Sequence, residues 1–201
     1  MIDEGYTKFD LDWTRSGPLP NPEIEALNGW RPSLYAAKLL GHYEDLGIGY
    51  GNISIRVGPG TQFAITGTQT GHLDALGNEH YALVTGFDIE ENRIACTGPL
   101  PASSESMTHA AIYALDASVN AIVHVHDRRL WQEQKGRLPT TDAAVAYGTP
   151  EMAREFSRLL CNTEFRDAGV AVMGGHEEGL ISVGRDIDSA AGRILALQRN
   201  R

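Results

Sequence analysis

Apolar positions along the chain change period several times, and each change predicts an element. Over residues 32–46, Leu34, Tyr35, Ala37, Leu39 and Tyr43 alternate with polar residues at helical spacing, and Gly47 stands where a C-cap would, so a first amphipathic helix is predicted there. A period of two then takes over in Ile53-Ser54-Ile55-Arg56-Val57 and again in Phe63-Ala64-Ile65-Thr66, which reads as two strands. Further strands are expected at 81–85 and 93–97, joined by the acidic turn Asp88-Ile89-Glu90-Glu91-Asn92. Ser103 and Ser104 stand where the next helix would begin, with Glu105 in its first turn and His109 four residues on over the same face. Beyond Asp116 the β-branched alternation of Ala121-Ile122-Val123-His124-Val125-His126 predicts a buried strand. Residues 127–148 read as irregular apart from a strand at 143–146. Thr149 as N-cap and Pro150 at the first helical position open a helix that should run to Leu160. Short strands at 169–173 and 180–183 and a last helix over 188–198 follow, and the mix predicts a layered α/β domain.

Length and charge narrow what such a domain can do. With 201 residues the chain can bury an ample core, and nothing in it calls for a second domain. Residues 1–31 are polar and punctuated by Pro18, Pro20 and Pro22, so they are expected to form an N-terminal arm, leaving 32–201 as the folded domain. Lysine and arginine number 17 against 26 acidic residues, a formal charge of -9, which argues against binding nucleic acid through its phosphates. Any phosphate held here should be small and bound by backbone amides and hydroxyls. Cys96 and Cys161 are isolated and form no paired motif, so a disulfide framework is not expected. No apolar run is long enough to span a membrane and no signal peptide is visible, so a cytoplasmic protein is the expectation.

Chemistry enters with the histidines. His124 and His126, two apart on a strand, project from one face and bring two nitrogens within a few ångströms, as a divalent metal requires of a rigid scaffold. A lone His-x-His pair in an apolar strand is more often structural, and what changes its weight is its company: Glu105 and the serine pair upstream, and His176 in a glycine-rich turn downstream. The turns at 47–52 and 67–71 combine glycine with small polar side chains, which lets N–H groups converge on an anion. Either alone is more often an ordinary turn needing positive φ; Ser103-Ser104 at a helix start is a third, independent anion-friendly element that shifts the balance.

From residue 32 to its end, the chain resembles the class II aldolase/adducin family of metal-dependent sugar-phosphate lyases and epimerases. Gly51-Asn52-Ile53-Ser54 is similar to the family's phosphate turn and Thr70-Gly71 to the small polar loop after the next strand. Ser103-Ser104-Glu105 with His109 and Tyr113 resembles its helix-start signature, the stretch 120–126 its metal-binding strand, and Tyr147-Gly148-Thr149-Pro150-Glu151 the opening of its next helix. The resemblance implies a three-layer α/β/α domain with a central, largely antiparallel sheet. It implies a divalent metal, usually Zn2+, on His124, His126 and His176, with Glu105 as a fourth ligand that can swing away as the catalytic acid/base. Gly51, Asn52, Thr70, Gly71, Ser103 and Ser104 would then hold the phosphate of a small phosphorylated sugar or related aldehyde, cleaved through a metal-stabilised enediolate, in a homotetramer. Epimerase members carry aspartate at the position of Glu105, so the likeness is to fuculose-phosphate-type aldolases rather than to ribulose-phosphate epimerases. The chain departs from the pattern at His176-Glu177-Glu178-Gly179, where two residues separate the histidine from the glycine, and Glu178 rivals His176 as third ligand. Its 66–71 loop is longer than usual and lacks the family's proline, and it has no C-terminal tail with a tyrosine proton donor. A dehydratase, decarboxylase or epimerase on the same site is the enzymatic alternative, and a non-catalytic adducin-like scaffold the alternative from another class.

Overall fold

The computed structural model describes residues 5–19 and 22–200. The elements, in order, are β1 (Asp10–Arg15), α1 (Glu23–Ala36), β2 (Gly41–Tyr43), β3 (Ile48–Tyr50), β4 (Asn52–Arg56), β5 (Phe63–Thr66), β6 (Tyr81–Asp88) and β7 (Arg93–Gly98). They continue with α2 (Ser106–Leu115), β8 (Ala121–His126), α3 (Arg128–Gln134), α4 (Pro150–Cys161), α5 (Thr163–Ala168), β9 (Val170–Val172), β10 (Gly179–Gly184) and α6 (Ile187–Arg199). Eight strands join in one sheet in the order β1-β7-β6-β5-β4-β8-β10-β9, while β2 and β3 form a separate hairpin. Every neighbouring pair in the large sheet is antiparallel except β1 with β7.

Strand alternation explains why helices cover both faces. Along β8, Ile122 belongs to one buried cluster, while Ala121, Val123 and Val125 belong to the other. The first cluster joins the sheet to α2, α4 and α5 through Met107, Ile112, Phe156 and Phe165. The second joins it to α1 and α6 through Ile24, Leu27, Leu34 and Ile194. The result is the expected α/β/α sandwich around a largely antiparallel sheet, since a strand apolar on both sides must be covered on both.

Several local expectations are corrected. The first helix is not at 32–46 but at Glu23–Ala36, so the segment read as arm supplies most of it. Its buried stripe is Ile24, Leu27, Arg31 and Leu34, at helical spacing but with an arginine in the third place, and Pro32 in its interior imitates a helix start. Residues 41–50 become the β2–β3 hairpin; Gly47 is left-handed, as a C-cap glycine would be, but it closes the hairpin loop with its N–H on the Tyr43 carbonyl. Residues 10–15 add a parallel edge strand. No strand forms at 143–146, where the Asp142 carboxylate instead accepts the Ala144 N–H at 2.8 Å in a turn. Within the stretch read as irregular, Asp127 caps α3 by accepting the Leu130 N–H at 2.9 Å. Helix α2 begins at Ser106, after the serine pair, because the Ser103 carbonyl accepts both the Ser106 N–H and its hydroxyl and makes a turn there.

Helix α4 starts as its sequence predicts, with the Thr149 hydroxyl oxygen accepting the Met152 N–H at 3.3 Å and Pro150 in the first turn. Thr149→Ala removes that acceptor, and a loss of about 1 kcal/mol is expected in urea unfolding with an unchanged denaturant slope. An unchanged midpoint would show that the cap contributes nothing.

Candidate functional site

Strand period and sheet register assemble the site. His124 and His126 share the α2-facing side of β8 with Ile122, and β8 pairs with β10 so that His126 lies opposite Gly179. The turn from Met173 to Gly179 is closed by the Met173 N–H on the Gly179 carbonyl, and it folds His176 back over the end of β8. Gly175 lets it do so: a Cβ there would overlap the Val145 carbonyl oxygen.

The three histidines are 1–3 % exposed. His124 Nε2 lies 3.1 Å from His126 Nε2, which lies 3.0 Å from His176 Nε2. Tetrahedral ligands at Zn–N distances of about 2.0–2.1 Å would stand about 3.3–3.4 Å apart; the ligand nitrogens of the three histidines all lie within 4.8 Å of one another, as a group that could hold one ion. Two outward nitrogens are hydrogen-bonded, His124 Nδ1 at 3.1 Å from the Leu180 carbonyl and His126 Nδ1 at 3.0 Å from the Tyr43 hydroxyl, while His176 Nδ1 faces Glu105 Oε1 at 3.2 Å. An imidazole whose Nδ1–H is held by an acceptor presents its Nε2 lone pair inward, which is the tautomer a metal needs. Burial pushes His124 down to about 4 and His126 well below its ordinary value, so both are neutral at neutral pH.

Glu105 occupies the N-cap position of α2 but caps nothing with its side chain. Its Oε1 instead faces His176 and, at 4.0 Å, His124 Nε2. Burial acts to raise its pKa, yet the facing His176 and His124 outweigh this and hold it at about 2, so it is a carboxylate. Glu178 goes elsewhere: one of its oxygens accepts the Tyr43 hydroxyl at 2.8 Å and the other Arg128 Nε at 2.7 Å. Of the two rivals for third place, the structure brings His176 to the pair, and among the described residues these three histidines are the group that could hold a metal ion.

All six residues expected to hold an anion, Gly51, Asn52, Thr70, Gly71, Ser103 and Ser104, line one cleft. Glu105, His124 and His126 line the same cleft. Register accounts for part of this, since Asn52 on β4 lies opposite His124. Its Oδ1 is buried without a hydrogen-bond partner. The turn at Thr70 and Gly71 packs tightly on the hairpin, where a Cβ on Gly71 would overlap the Gly41 carbonyl oxygen and the Gly49 Cα. The Thr70 hydroxyl donates to the Gly67 carbonyl at 2.9 Å, so an anion here meets chiefly backbone N–H groups at that turn. Behind the cleft His109 does not reach the histidine cluster; its Nδ1 is 2.7 Å from the Ser54 hydroxyl, which also meets the Tyr113 hydroxyl at 2.8 Å, tying α2 to β4.

Sequence reasoning missed three tyrosines and an arginine. Tyr43 holds His126, Tyr50 stacks on it at 5.4 Å between ring centroids, and Tyr147 lies 4.6 Å from the His176 ring. Tyr147 stood in the Tyr-Gly-Thr-Pro-Glu stretch, a usable signal; Tyr43 and Tyr50 become visible only once 41–50 is known to be a hairpin. Arg31 hydrogen-bonds the carbonyls of Thr70, Gly71 and Leu73.

These buried imidazoles set a pH dependence. His124 and His109, with folded values of about 4 and 3 against 6.5, are unprotonated when folded and take up protons on unfolding. The unfolded chain therefore binds more protons between about pH 4 and 6.5, and stability is lost as pH falls through that window; for His124 the loss from pH 7 to 5 is on the order of 1–2 kcal/mol. Glu105, depressed from 4.5 to about 2, adds a loss only below pH 4.5. The thermal midpoint of the metal-free chain is expected to drop several degrees between pH 7 and 5, and a flat profile there contradicts neutral, desolvated imidazoles.

Comparison with known proteins agrees with the fold. Among solved structures the fold is similar to l-fuculose-1-phosphate aldolase from Thermus thermophilus, with a TM-score of 0.63, 21% identity, and coverage of 88% of this chain and 89% of that one. It is similar to a sugar-phosphate aldolase from Thermotoga maritima (TM-score 0.64, 15% identity, 88% and 90% covered) and to an aldolase II superfamily protein from Pseudomonas syringae (0.64, 19%, 90% and 75%). At such identities the likeness is one of fold. No curated protein matches the chain. The family described as Class II Aldolase and Adducin N-terminal domain matches residues 33–200, a span that includes the three histidines, Glu105 and the glycine and serine turns of the cleft, and the chain belongs to that family.

Proposed function

We propose that the protein is a metal-dependent aldolase, a carbon–carbon lyase acting on a small phosphorylated sugar or related hydroxy-carbonyl compound. The observation that carries this reading is the meeting of three buried imidazole Nε2 atoms beside a buried carboxylate, with His124, His126 and Glu105 lining the cleft that also holds the three glycine and serine turns. Neutral nitrogen ligands suit a divalent cation, Zn2+ most readily, and the donor set fits one. A bound cation supplies Lewis acidity, stabilising negative charge that develops on a substrate carbonyl and its neighbouring hydroxyl.

The chain's own residues do the rest. Backbone N–H groups of the Gly51 and Gly71 turns, with Asn52, Ser103 and Ser104, hold the phosphate and fix which end of the sugar faces the histidines. Glu105, ionised at neutral pH, is placed to take through Oε1 the proton of the hydroxyl that becomes the aldehyde; as the carbon–carbon bond breaks its electron pair is left on the carbon next to the carbonyl, and that carbon then receives the proton. The buried histidine rings of this wall keep water from that carbon. We take the assembly to be a homotetramer, in which a side chain from a neighbouring subunit would hydrogen-bond the oxygen that becomes the aldehyde.

The test combines metal analysis with a screen of phosphorylated ketoses for aldehyde release by the metal-loaded protein. Release is expected from at least one of them, and Glu105→Gln should keep its metal while losing about 10²–10⁴ in rate. His176→Ala should lose metal and Glu178→Gln should keep it. Full metal occupancy in His124→Ala or His126→Ala would remove the site as drawn, and cleavage confined to unphosphorylated substrates would remove the anion pocket from the reading.

A further inference from the structure

Arg31 is the largest fully buried side chain among the described residues, and within ion-pair distance it faces no carboxylate among them. A buried cation without a counter-ion is costly unless its donors are met. Here they are met almost entirely by one turn: Nε donates to the Leu73 carbonyl at 3.0 Å, and Nη2 to the carbonyls of Leu73, Thr70 and Gly71 at 2.6, 2.9 and 3.3 Å. Nη1 is buried with no hydrogen-bond partner. Burial lowers the pKa of Arg31, and the nearby Tyr81, Tyr35 and Asp74 act the other way, but a guanidinium keeps its proton at neutral pH in any case.

Thr70 and Gly71 line the cleft from its inner side, whereas Arg31 does not reach the cleft, so the guanidinium sits behind the turn. A trans peptide whose carbonyl is drawn to one side sends the following N–H to the other. The Thr70 carbonyl on Arg31 therefore directs the Gly71 N–H away from Arg31. Among the described residues no lysine or arginine lines the cleft itself, and the carboxyl group of Glu105 stands on its wall. An anion bound there needs positive potential from behind the wall, and in a low-dielectric interior a charge one peptide away acts with little screening.

We propose that Arg31 is the positioning residue of the anion pocket: it aims the turn at 70–73 by its carbonyls and supplies, through that turn, the positive charge that balances a phosphate-sized anion. This rests on reading the cleft as an anion site. It assigns a role in anion binding to a helix outside the three glycine and serine elements, and it replaces a pocket of purely neutral donors with one backed by a full charge.

Inorganic phosphate binding, followed by calorimetry together with metal content and the far-UV spectrum, tests it on Arg31→Gln and Arg31→Lys. Both keep donors for the turn, and only lysine keeps the charge. With fold and metal unchanged, Arg31→Gln is expected to raise the phosphate dissociation constant at least about tenfold, and Arg31→Lys to raise it clearly less. Phosphate bound by Arg31→Gln as well as by wild type overturns the proposal, and equal weakening in both variants reduces Arg31 to a structural pin and overturns its electrostatic part. Should Arg31→Gln not fold, Arg31→Lys is read against wild type, and a loss of tenfold or more there overturns the role of charge. Wild type that binds no phosphate brings down the anion pocket itself, a failure seen before any variant is compared.

Discussion

The register of β8 against β10 is the constraint on which the site depends. Because His126 faces Gly179, the turn before β10 must end beside the last residue of β8, and His176 within that turn has nowhere to go but over the two strand histidines. The same alternation that buries Val123 and Val125 against α6 turns His124 and His126 toward α2. A slip of one residue would put both imidazoles into the opposite layer, so the hydrophobic cores on the two faces hold the two histidines in place. On the other flank, the pairing of Asn52 with His124 fixes how far the anion turn lies from the histidines.

Charge is handled inside the protein by pairing with what the backbone offers. His124 gives its outer nitrogen to a carbonyl, Arg31 gives its fork to three carbonyls, and Glu105 rests against an imidazole. Glu178 is the exception that clarifies the rule. The two-residue lengthening after His176 leaves it in a left-handed conformation, unusual for a residue with a side chain, with its carboxylate shared between Tyr43 and the surface residue Arg128. It thereby supports His126 through Tyr43 rather than competing for the place of a ligand.

Much of this was legible in the sequence, for a physical reason in each case. β8 and α4 could be read because period, cap and proline all agreed: Thr149 and Pro150 signal a helix start, and alternating β-branched residues signal a strand. The six residues expected to hold an anion share one cleft because the turns they occupy end strands and start a helix at the same end of the sheet. Helix α1 could not be read, because its buried stripe contains a charged residue, and Arg31 makes sense only beside a turn some forty residues away in sequence. The choice between His176 and Glu178 stayed open because spacing across an irregular turn does not say which side chain folds inward; the packing of Gly175 on Val145 and the left-handed backbone of Glu178 decide it. Tyr43 was hidden by the same error that misplaced the helix.

The proposed chemistry turns on three imidazole nitrogens of one chain taking hold of a single ion. X-ray absorption at the zinc edge of the zinc-loaded protein tests this most directly. Three nitrogen scatterers are expected at about 2.0–2.1 Å with the multiple-scattering signature of imidazole, together with oxygen and no sulfur. A shell with one imidazole or none, or one dominated by sulfur from Cys96 or Cys161, would contradict it.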